Sequence, residues 1–160
     1  MGATMTNEVI ELARRAVACP DWRWMPGMLA WSKKHCVDLQ GRDLGEIEDS
    51  MRVQEVETGC LIGLPTGKSI AYSWSDFDLL PDLTDPATIG CLLALVRNVL
   101  GEPLASVEVR QPGDLGCRAC VRVPVGSEGW RVVQWWCASQ DPHYSEAAAL
   151  VAALEAAGGQ

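Results

Sequence analysis

The sequence predicts one α+β domain over residues 1–160, with three helices covering one face of a mostly antiparallel sheet of about five or six strands. Three observations carry that prediction. Apolar residues recur at helical spacing in three separate segments, each beside residues that cap or stop a helix. The intervals hold short apolar runs, partly β-branched or aromatic, bounded by turn residues. A chain of 160 residues with 48% hydrophobic and 21% charged residues can bury a core without metal or disulfide support.

The first helix is expected over residues 7–18, with Val9, Leu12, Ala13, Ala16 and Val17 on one stripe and Thr6 or Asn7 as N-cap. "CPDWRWMPGM" then breaks the periodicity with two prolines and a glycine, and residues 38–57 are acidic and aperiodic until a strand emerges near Arg52 to Glu57. "GCLIGL" and "SIAYSW" read as a pair of strands. The clearest helix follows: Thr84 or Asp85 caps it, Pro86 occupies its first turn, Gly101 and Pro103 stop it, and Ile89, Leu92, Leu93, Val96 and Leu100 form its buried stripe. Three further strands, "ASVEVRQ", "CRACVRVPV" and "WRVVQWWC", precede a last helix capped by Ser145, with Leu150, Val151 and Leu154 facing inward, ending at Gly158.

Charge and leader motifs narrow the class. Thirteen bases against twenty-one acids give a net charge of -8, the reverse of a general nucleic-acid binder, so no direct nucleic-acid binding is expected. No apolar run reaches membrane-spanning length and the N-terminus lacks a secretory pattern, which points to the cytoplasm and away from membranes. Seven cysteines, an odd number, read as reduced and mostly buried thiols.

"GLPTGKS" (Gly63 to Ser69) is the most enzyme-like stretch. A phosphate loop needs four residues between its glycines and a helix starting at the lysine, so that backbone N–H groups face the anion. Here three residues intervene and a strand-like run follows, so the stretch reads as a hairpin bend set by Pro65 and Gly67. Cys117 and Cys120 form a single CxxC that His35 and Cys36 would have to complete as a zinc site; on a regular strand Cys117 faces the core and Cys120 is half-exposed on the other side, which opposes a shared metal. "KKHC" favours a thiolate at Cys36, yet contact geometry with a base does not follow from adjacency. Asp76, Asp78, Asp82 and Asp85 lack calcium-loop spacing, and Asp85 is better used as a helix cap. No catalytic residue, metal ligand or cofactor is assigned.

Seven tryptophans are the compositional oddity. Trp22, Trp24 and Trp31 lie early; Trp130, Trp135 and Trp136 lie late. Consecutive Trp135 and Trp136 must occupy opposite faces of a regular strand, so one joins Arg110, Arg118 and Arg122 on the face away from the core, unless the N-terminal tryptophan segment folds over it. Asp43, Glu46, Glu48, Asp49, Glu55 and Glu57 supply an acidic stretch that either contacts a basic partner or is simply solvated.

"WRWMPGM", "LPDLTDPATIGCLLALVR" and "SEAAALVAALEAA" together resemble a family of small, uncharacterised bacteriophage and prophage proteins, over about a quarter of the chain. The resemblance implies a phage origin and a host-cytoplasmic setting and carries no catalytic residues. The expectation is a non-enzymatic accessory protein that binds and inhibits a host protein or defence complex, in the manner of an anti-CRISPR factor. Its candidate contacts are Trp22, Trp24, Trp135, Trp136, Arg110, Arg118, Arg122, Glu46, Glu48 and Asp49. The alternatives are a binder that sequesters a nucleotide signal through Trp stacking and Arg118, Arg122 or Arg131, and a thiol or zinc enzyme. A symmetric homodimer is open to either binder.

Overall fold

The computed structural model describes the backbone of residues 5–37, 43–57, 60–64, 70–73, 79–110, 118–127, 129–137 and 142–159. Helix α1 (Asn7–Ala18) starts where the Thr6 hydroxyl accepts a hydrogen bond from the Val9 amide, and it buries Val9, Leu12, Ala13 and Ala16. Strands β1 (Leu29–Val37), β2 (Asp43–Glu57), β3 (Cys60–Leu64), β4 (Ile70–Ser73) and β5 (Leu80–Pro81) form one antiparallel sheet in the order β4-β3-β2-β1-β5. Helix α2 (Pro86–Leu100) follows, then β6 (Ser106–Arg110), β7 (Arg118–Val125) and β8 (Gly129–Cys137), a second antiparallel sheet in the order β6-β7-β8. Helix α3 (Pro142–Gly158) ends the described chain.

The α+β class, three helices and antiparallel pairing are as the sequence predicts; the strands divide between two sheets. Helix α3 is the reason. Ala147 through Leu154 are all buried, so the helix is apolar on every side and must be covered on every side. The β6-β7-β8 sheet covers one side through Ala119 and Val121, and α1 and α2 cover the other. Its alanines let these neighbours approach closely, while burial of Leu150 and Leu154 contributes about 1.5–3 kcal/mol each. Helix α2 in turn buries two stripes: Leu92 and Val96 against this core, and Leu95 against Met28, Ala30, Met51 and Val53 of the larger sheet.

Three expectations are corrected. Residues 29–37 form β1, and the acidic stretch is the long strand β2, not a loop; the register sets Lys33 opposite Glu48 and His35 opposite Glu46. Ser145 does not cap α3: the helix begins at Pro142, and Ser145 is wholly buried. Val125, which alternation along "CRACVRVPV" sets on the same face as Val121 and Val123, is 54% exposed because it ends β7 at the Gly126 turn.

Residues 65–69 lie outside the described set, but their flanks decide the meaning of "GLPTGKS". Gly63 pairs with Ile70 and Cys60 with Ser73 in an antiparallel ladder, so β3 and β4 are two arms of a hairpin. A phosphate loop leads from a strand into a helix, which this connection does not do.

Candidate functional site

The stretches "WRWMPGM" and "LPDLTDPATIGCLLALVR" meet at one structural knot. Asp85 caps α2, its Oδ2 accepting from the Thr88 amide at 2.8 Å and the Thr88 hydroxyl at 2.9 Å. Both its oxygens also receive the Arg52 guanidinium, at 2.6 and 2.8 Å. Arg52 Nη1 further donates to the Gly27 carbonyl at 2.8 Å, and the Leu29 amide donates to Thr88 Oγ1 at 2.8 Å. Gly27 has φ +98, a conformation that L side chains rarely adopt, and its amide donates to the Val53 carbonyl. Burial pushes the Asp85 carboxyl upward, but hydrogen bonds from Arg52 and Thr88 outweigh it and hold the group below the ordinary carboxylate range. Every charge here is matched within the chain. Asp82 is likewise internal, its Oδ1 accepting from the Thr84 amide and hydroxyl at 2.9 and 2.6 Å.

The face of the β6-β7-β8 sheet turned away from α3 is different. Arg110 pairs in register with Arg118, Glu108 with Cys120 and Ser106 with Arg122, so one row carries three arginines and one carboxylate. Glu108 serves two of them: Arg110 at 2.7 Å and Arg122 at 2.8 Å. Those arginines, with Arg110 the stronger influence, hold Glu108 below its usual range. Arg122 also donates to Ser106 Oγ at 3.3 Å and lies 4.7 Å from the centre of the Trp130 ring. Trp130 is 53% exposed, and Val132 beside it is exposed too. Arg118 is exposed and has no hydrogen bond or ion pair among the described residues.

A bulge builds this row. The β7–β8 register shifts between Val121, opposite Gln134, and Arg122, opposite Val132. Val133 is the extra residue, and it reverses the alternation of side chains along β8. Trp135, opposite Cys120, and Trp130, opposite Pro124, therefore occupy the same row although five positions separate them. Trp136 stands opposite Ala119, in the row that packs on α3.

The structure thus brings Arg110, Arg118, Arg122 and the register position of Trp135 together. It places Trp22 and Trp24 elsewhere: their rings meet edge to face at 5.7 Å, and Trp24, 5% exposed, is packed with Met28, Met51 and Leu95. Trp24 is core, and the segment does not cover the arginine row. The Trp22 indole N–H is buried with no acceptor among the described residues. Glu46, Glu48 and Asp49 are positions on β2, opposite His35, Lys33 and Ser32. Sequence reasoning missed Trp130 and Glu108 as members of the row.

Cys120 is buried, not half-exposed: a short side chain on the central strand sits between the long side chains of Arg118, Arg122 and Glu108. Burial pushes the thiols of Cys19, Cys91 and Cys120 upward, against thiolate formation. Cys117 lies outside the described residues, as do Asp76 and Asp78. No group of three His, Cys, Asp or Glu side chains gathers among the described residues, and none of the helices there is long and apolar enough to cross a membrane. Two of the concavities are lined by described residues. One, of 280 Å³, lies beside the Arg15–Glu155 ion pair that ties α1 to α3 at 2.7 Å. The other, of 440 Å³, lies between the ends of α2 and α3 and strand β8, with Val123, Val133 and Arg131 in its lining.

No family model, no curated protein and no solved structure matches the chain.

Proposed function

We propose that this protein is a non-enzymatic binding protein of phage origin that docks on a host protein and inhibits it, the partner class being a component of antiviral defence such as a CRISPR effector complex. The observation that carries the binding reading is the outer row of the β6-β7-β8 sheet, where Arg110 and Arg122 share one carboxylate, Arg118 stands opposite Arg110 and Trp130 is exposed. Tryptophan and arginine are the side chains that most often dominate binding energy at interfaces. The phage origin rests on the sequence resemblance, two of whose stretches are tied together at Gly27 and Asp85.

Capture from host lysate tests this reading. The wild-type chain is expected to retain a specific protein that a Trp130→Ala/Arg122→Ala variant of unchanged thermal stability loses; equal capture by both would remove the assignment of this face. A second reading, sequestration of a nucleotide, is favoured by the 440 Å³ concavity with Arg131 in its lining. A panel of nucleotides that leaves the melting temperature unchanged would count against it.

A further inference from the structure

We infer that the occupant of the outer row is an acidic polypeptide segment in extended conformation, held at one end between Arg110 and Arg118 and at the other by Arg122 and Trp130. The inference rests on the binding face proposed above and names its partner chemistry.

Arg110 and Arg118 are directly opposite one another on neighbouring strands, with α-carbons about 5 Å apart. Like charges in that position destabilise a sheet. Glu108 relieves Arg110 but is shared with Arg122, and Arg118 has no partner among the described residues. Two adjacent guanidiniums with one spare are suited to a carboxylate, which accepts from both. Arg122 lies four residues further along β7, a distance of about 13 Å. An extended peptide with acids four positions apart has the same repeat, and an apolar side chain two positions beyond the second acid would meet Trp130, which stands opposite Pro124.

A nucleic-acid strand also repeats its charge, and the overall balance decides between them. The chain carries -8, and the row offsets its three arginines with Glu108. Nucleic-acid binding draws its affinity from many phosphate contacts to clustered Lys and Arg, more than three partly offset arginines supply, whereas a carboxylate accepts from paired guanidiniums and needs only the local row.

The test uses the full chain and three probes: a decaglutamate peptide, a decalysine peptide and a ten-residue thymidine oligonucleotide, titrated by tryptophan fluorescence and calorimetry at low salt. Decaglutamate is expected to bind more tightly than either other probe, and Arg110→Ala/Arg118→Ala is expected to weaken it at least tenfold while thermal stability is kept. Arg118→Ala alone provides a milder variant should the double one unfold. No decaglutamate binding, binding unchanged in both variants, or tighter binding of the oligonucleotide would each overturn the inference. The two readings fail separately: a host protein captured equally by wild type and by Arg110→Ala/Arg118→Ala leaves the protein a host-binding factor and removes the acidic-segment assignment. Decaglutamate binding lost on substitution supports that assignment even where no host protein is captured.

Discussion

Two arginine–carboxylate groups on this molecule are built from the same chemistry and differ in stoichiometry. At the knot, one guanidinium meets one carboxylate, and the donors and acceptors left over are taken by Gly27 and Thr88. On the outer sheet, one carboxylate meets two of three arginines in a row, and Trp130 lies exposed beside them. Matched charge fixes one segment of the chain against another; unmatched charge on a flat exposed row does nothing for the fold and is available to a partner. The knot should therefore respond to substitution in stability, and the row in binding.

The largest effect is expected from Asp85→Ala. It removes the α2 cap, worth about 1 kcal/mol, and leaves Arg52 and Thr88 without their acceptor. Arg52 is 42% exposed, so water replaces part of the loss, and a total of about 2–3 kcal/mol is expected in urea unfolding. A change under ~0.5 kcal/mol would show that the knot does not anchor the fold. Acid provides the same contrast without the loss of the side chain. The folded carboxyl of Asp85 lies below its ordinary value of 3.8, so its contribution is complete above that value and is lost as pH falls through the folded one. Compared with Asp85→Asn, the wild type should lose its extra stability only below about pH 4.

Gly27→Ala ranks next. An added Cβ would meet only Cys91 Sγ, at 3.8 Å, an ordinary contact. The cost is therefore backbone strain at φ +98, about 1–2 kcal/mol in the same unfolding measurement. An unchanged midpoint would mean that the Pro26-Gly27 bend relaxes freely and that the carbonyl held by Arg52 is not fixed there.

These contrasts follow what could be read in the sequence. The knot was half legible, because Asp85, Pro86 and Gly101 are local signals that define a helix from within it. Its partner Arg52 was not, since 33 positions separate it from Asp85 and nothing in either segment names the other. β1 escaped notice because "LAWSKKHCV" has neither clean alternation nor β-branched enrichment. The start of α3 has a sequence signal in Asp141-Pro142, the same pair as the Asp85-Pro86 that opens α2. The arginines of the outer row were legible by period-two alternation, but the place of Trp130 among them was not. It depends on the bulge at Val133, which strict alternation cannot foresee.

The smallest change in stability and the most direct probe of the row come from Glu108→Gln. Glu108 is a partly exposed strand acid whose pairs with Arg110 and Arg122 are open to water, so the unfolding midpoint should move little. Binding should move in the opposite sense to an ordinary damaging substitution. The variant frees two guanidiniums that the native carboxylate occupies and adds one unit to the positive charge of the row. Affinity for decaglutamate should then rise roughly two- to threefold, the equivalent of about 0.5 kcal/mol. A fall in affinity would give Glu108 the other role its geometry permits, that of holding Arg110 and Arg122 in position. The row would then be a preorganised surface whose internal ion pairs matter more than its excess charge.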